Sequence, residues 1–159
     1  MARSLASYEM NRLPWGQLRE ASGPAVNIPV ALVELFDALT PDDAGKAYWK
    51  LENHVVVQGQ LFGVAEFVVP VLMAALLDER PDYVKICVLE LLFQIVSGVA
   101  HEIEIDIGNI DLAAKCQQKA REGLWILYRE LIVGESEAAR EVIEIVESEP
   151  ARLAYFLGE

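Results

Sequence analysis

Cationic residues are scarce: 13 Lys and Arg against 25 Asp and Glu leave this 159-residue chain at a formal charge of −12. A field of that sign repels phosphate backbones and anionic lipid heads, so neither nucleic acid nor a membrane surface is an expected partner. A basic protein is the better fit, because opposite charge speeds and orients encounter. Cysteine is nearly absent as well. Cys87 and Cys116 stand in apolar, helix-like segments without C-x-x-C spacing, which suits buried free thiols in a reducing compartment and leaves a disulfide between them open. Only two histidines exist, His54 and His101, and neither has a Ser, Cys or paired acid at a motif spacing. No G-x-S-x-G, H-E-x-x-H, P-loop or dinucleotide fingerprint occurs, so the reading is a non-enzyme with no catalytic residue, cofactor or metal. The longest apolar run, FGVAEFVVPVLMAALL, falls short of the about 20 residues a bilayer span needs and carries Glu66 and Pro70. It reads as a buried helix. The start, MARSLASYEMNR, lacks the apolar stretch of a secretory signal, and the expected location is cytoplasmic.

Hydrophobic residues are plentiful at 53%, above the about 45 to 50% of an average globular protein, and the length suits one domain over residues 1–159. Pro14 is positioned to open a short helix, WGQLREAS. In IPVALVELFDAL, Ile28, Leu32, Leu35 and Leu39 fall at helical spacing behind Asn27, with Pro29 in the first turn. Thr40-Pro41-Asp42-Asp43 is a helix start with cap, proline and acids in order. That helix runs to about Val56, and GQLFGVAEFVVPVLMAALLDE follows it as a second, bent at Pro70. Arg80-Pro81-Asp82 repeats the start 40 residues after Pro41. Its helix is apolar nearly all round apart from a thin stripe of Glu90, Gln94 and Ser97, which predicts a sandwiched position. Asp111 is placed to cap one long helix through Val133, Ser136 the next, and Pro150 opens a last one. Runs such as VVVQG and IEIDI are too short and too few for a sheet. The fold class is therefore all-α, and helix pairs at a period near 40 are the pattern of a short HEAT-like α-solenoid of antiparallel pairs.

Trp15-Gly16-Gln17-Leu18, Asn27-Ile28-Pro29 and above all ENHVVVQGQLFGVAEFVVPVLMAALL resemble the small bacterial HEAT-repeat proteins often encoded beside polymorphic toxins. Gln58, Gly59, Pro70 and Leu72 match that family's turn and its later proline-containing helix, although Val57 stands where the family usually has histidine. CQQKAREGLWILYREL, with Cys116, Glu122 and Gly123, is similar to its third helix-pair region. The resemblance implies a solenoid without chemistry of its own that acts by binding another protein. Some such proteins are immunity proteins that neutralise a cognate toxin; the alternative is an adaptor or scaffold for a housekeeping protein. DNA-repair glycosylases share HEAT-like folds but need a basic groove, which the charge here opposes.

Residues 101–111, HEIEIDIGNID, alternate acid and isoleucine, and three readings of them stand. As an EF-hand-type calcium loop, counted from Glu102, the stretch has Ile107 where glycine is needed and Ala113 where the bidentate Glu belongs. As a connector, its isoleucines pin it to the helix edges. As a contact edge, Glu102, Glu104, Asp106 and Asp111 face a cationic partner. Trp49, among Lys46, Lys50, Glu52 and Asn53, falls on the polar side of its helix, while Trp125 and Tyr128 share a face with Arg121 and Arg129. In a solenoid that face can pack on the next helix; an exposed Trp or Tyr anchors an interface instead, so Trp49 and Trp125 join Glu90 and the four acids as candidate partner-binding residues.

Overall fold

The computed structural model describes residues 4–159, which form ten α-helices and two small sheets. The first helix, α1 (Leu5–Asn11), is closed by a reciprocal cap in which Ser4 and Ser7 exchange side-chain and backbone bonds. The predicted helix WGQLREAS is instead one 3-10 turn at Trp15–Gln17 followed by a hairpin, β1 (Arg19–Glu20) and β2 (Gly23–Pro24). Helix α2 covers Ile28–Phe36, so Leu39 lies beyond its end and is exposed, and Phe36 takes the buried place instead.

Helix α3 (Pro41–Val55) begins as its sequence dictates, with Thr40 Oγ1 accepting the Asp43 N–H at 3.1 Å. VVVQG does build a ladder, contrary to expectation. Val56–Val57 (β3) pairs with Gln60–Leu61 (β4) around Gln58 and Gly59, both at positive φ, the two-residue turn whose twist matches a hairpin. A third strand, β5 (Val99–Ala100), adds alongside β4 in parallel. That pairing ties together two turns some 40 residues apart.

Helix α4 (Ala65–Ala75) carries Pro70 inside it, and α5 (Asp82–Val96) follows. The IEIDI run is neither strand nor open connector but a short helix, α6 (Glu102–Asp106). The single long helix expected from Asp111 to Val133 is two, α7 (Leu112–Arg121) and α8 (Leu124–Val133). At the break a Cβ on Gly123 would stand 2.6 Å from Met73 of α4. Asp111 does not cap α7 with its side chain; its carboxylate lies 3.3 Å from Lys115 instead. Ser136 is the first residue of α9 (Ser136–Val146) rather than its cap, and α10 (Pro150–Leu157) closes the chain.

The helices pack as two rows: α1, α4 and α7 in one, and α2, α3, α5, α9 and α8 in the other. Helix α5 touches α2, α3, α4, α7 and α9, the sandwiched position its apolar surface calls for. The core is contiguous, with Leu32, Leu51, Leu72, Leu89, Leu92 and Ile95 among its fully buried side chains. Among the described residues no helix is long and apolar enough to cross a membrane. Both cysteines are free; Cys116 is fully buried, which pushes its thiol up to about 12, and Cys87 is half-buried.

Candidate protein-docking site

Helix α6 is amphipathic in an inverted sense. His101 precedes it, with the backbone N–H tied to Leu61 O at 2.9 Å and the ring stacked on Phe62 at 4.8 Å between centroids. The His101 Nδ1 accepts the Ile103 N–H at 3.1 Å, so His101 occupies the cap that a Ser or Asp would usually fill. At 100° per residue, one of the five helical positions must face the protein, and it is Glu104 that does. Its side chain has no exposed area, and both its oxygens accept from Arg19 of β1, at 2.8 Å each. Asn109 Nδ2 adds a third bond at 2.9 Å, and Lys115 Nζ donates onward to Asn109 Oδ1 at 2.9 Å. Burial pushes the Glu104 carboxyl up, but the Arg19 and Asn109 bonds outweigh it and hold the group below its usual range. Gly63 borders the pair so closely that a Cβ there would stand 3.1 Å from Glu104 Oε1.

With the acid inside, the isoleucines are left outside. Ile103, Ile105, Ile107 and Ile110 are all exposed, Ile110 by 71%, and Val99 stands exposed just before them. They do not pin the segment to the helix edges. Glu102 and Asp106, four residues apart, share the outward face, and neither forms an ion pair among the described residues. The predicted acidic edge is thereby corrected in two respects. Glu104 is spent on Arg19 and cannot meet a partner, and the edge is apolar between its remaining acids. A calcium-loop reading also fails, since the helix turns Glu104 inward and Glu102 and Asp106 outward.

The other candidate residues stand on separate elements. Trp49, 58% exposed, lies on α3 with its ring edge-on to Tyr48 and borders an open groove of about 730 Å³ beside Asp37, Leu39, Asp43 and Lys46. Glu90 of α5 is exposed and shares a shallow acidic groove with Ile86, Glu135, Glu137 and Glu141. Asp111 is exposed beside Lys115. Trp125 and Tyr128 do not share a surface: Tyr128 is buried, while Trp125 is exposed on one side and covered on the other by α10. The Arg152 guanidinium sits 5.5 Å from the Trp125 ring, and Phe156 packs 4.3 Å from the Tyr128 ring. Of the seven candidate residues, Glu102 and Asp106 alone fall on one helix face.

Sequence reasoning missed the exposed isoleucines because a single turn of helix has no periodicity to read. The chain matches no protein-family model, no curated protein and no solved structure.

Proposed function

We propose that the chain is a short HEAT-like α-solenoid that binds and neutralises a basic protein toxin, with the α6 ridge as its docking edge. The observation that carries this reading is the inverted helix. Glu104 anchors α6 from behind, so four isoleucines stand outward with the carboxylates of Glu102 and Asp106, unpaired among the described residues, between them. Covering apolar area contributes roughly 25 cal/mol per Å², and carboxylates beside that area select a partner bearing Lys or Arg. The stacking of α3 on α5, whose starts lie 40 residues apart, supports the solenoid part, as does the second row of α1, α4 and α7. The neutralising part rests on the charge of −12 and on the resemblance to toxin-associated HEAT proteins.

The tagged chain, recovered from its own cells on beads washed across a salt series, should retain one basic, toxin-like protein near stoichiometric yield. Affinity for that protein should fall at least about ten-fold in Ile103→Asp, as expected for a central apolar anchor, with the helical circular dichroism unchanged. Reversing Glu102 and Asp106 to Lys should flatten the salt dependence. Full affinity and full protection of cells in both variants would take the contact away from α6. Recovery of housekeeping proteins alone would replace the toxin inhibitor with an adaptor.

A further inference from the structure

A second site lies where the β1–β2 hairpin meets α2 and the end of α3, on residues separate from the α6 ridge. A cavity of about 500 Å³ opens there, within the range of small-molecule sites. Glu20 lines it, and only 8% of that residue is exposed. Glu20 Oε1 accepts the Ser22 N–H at 2.6 Å, whereas Oε2 accepts no hydrogen bond from any described residue. Oε2 is not sealed from solvent, so it is free to take a hydrogen bond from a ligand in the cavity.

His54 stands opposite, with Nε2 3.8 Å from Glu20 Oε2. Its other nitrogen settles its chemistry. Nδ1 lies 2.6 Å from the Lys50 carbonyl oxygen, which has no hydrogen to give, so Nδ1 carries the proton. In the neutral ring Nε2 is therefore a bare acceptor. Two acceptors 3.8 Å apart, one of them anionic, match a single nitrogen bearing at least two hydrogens and a positive charge. The remaining charges agree: Glu34 and Lys50 pair at 2.8 Å across the rim, so among the lining groups Glu20 is the carboxylate that meets no Lys or Arg. Ile28, Val30 and Ala31 supply apolar wall for a short stem.

We propose that this cavity binds a small primary amine, its ammonium held between Glu20 Oε2 and His54 Nε2 and its alkyl stem laid along α2. The site forms only because α3 ends where it does. The His54 carbonyl accepts the Ala21 N–H at 2.9 Å, and that bond holds the hairpin over the cavity.

Titration of the full chain with n-butylammonium, followed through the His54 ring signals by NMR, tests this, with n-butanol and butyrate as equal-sized controls. The expected result is a saturable shift with the amine alone, weakened at least about ten-fold in Glu20→Gln. That variant keeps an acceptor for Ser22 and removes the charge. Should Glu20→Gln lose the folded spectrum, His54→Ala serves, read through the Glu20 and Ser22 backbone amide signals, since the His54 side chain is 40% exposed and its loss spares the core. An unsaturable response, an equal response to n-butanol, or undiminished binding in these variants would overturn the proposal.

Discussion

Glu104 owes its place to Arg19, and the two partners are unequal in what they leave behind. Glu104 is wholly buried while the Arg19 side chain is 41% exposed. Arg19→Ala strands a carboxylate in the interior and should destabilise by about 3 kcal/mol, whereas Glu104→Gln leaves a guanidinium that reaches water and should cost clearly less. Urea unfolding of both variants checks the asymmetry, and equal losses would mean that the buried charge is not what holds α6. The pH dependence follows from the depressed Glu104 carboxyl. A group held below its unfolded value contributes stability that is present above that value and is lost as pH falls through the folded one. In Arg19→Ala only the Asn109 and Gly63 bonds remain against burial, so acidification through the ordinary carboxylate range should cost that variant less stability than it costs the wild type. None of this was legible in HEIEIDIGNID. A two-residue alternation carries no helical period from which an inward face could be read, and which acid turns inward depends on a residue 85 positions away.

Helix α10 shows how an element can depend on one side chain. It has no fully buried residue of its own, and besides the packing of Phe156 on Tyr128 it is held through Glu147, whose side chain has no exposed area. That carboxylate accepts from Arg152 at 2.8 and 3.0 Å, from the Tyr128 hydroxyl at 2.7 Å and from the Glu149 N–H at 2.9 Å. The Arg152 bonds, more than any other contact, lower its carboxyl to about 2. Its stabilising effect is thus complete above the ordinary value near 4.5 and is lost as pH falls from there toward about 2. Glu147→Gln should undock α10 at neutral pH, raising hydrogen exchange over Pro150–Leu157 and shifting Trp125 emission to the red, with α5 amides unaffected. Wild-type protein should show the same local change on acidification to about pH 2, and unchanged α10 exchange in the variant would refute this anchoring. Element starts set by local chemistry were legible: Pro29, Pro41 and Pro150 each stand in a first turn. The break between α7 and α8 was not, since Met73 arrives there from α4. Nor was the β3–β4–β5 sheet, whose third strand comes from a distant turn.

At the scale of the molecule, α5 joins the two rows, touching helices from both. Its all-round apolar surface made that position readable from sequence, whereas the order of its neighbours depends on contacts that no local pattern records. The arrangement decides how the chain unfolds. In a long array of repeats each unit meets only its neighbours, so damage in one place shifts part of the structure and leaves the rest. Here a defect in α5 weakens α2, α3, α4, α7 and α9 together. Leu92 is fully buried on that helix, and Leu92→Ala should cost about 2 to 5 kcal/mol through lost burial and a residual cavity. Single-tryptophan versions can follow the loss from two ends of the chain. One keeps Trp15, whose Nε1 donates to Met10 O at 2.9 Å, and the other keeps Trp125 on α8. Both reporters should move to a lower urea midpoint by the same amount, with coincident transitions before and after the substitution. Separate midpoints would mean that the rows unfold independently and that α5 belongs to one of them. Added salt should raise both midpoints together, because a net charge of −12 repels itself most strongly when the chain is compact.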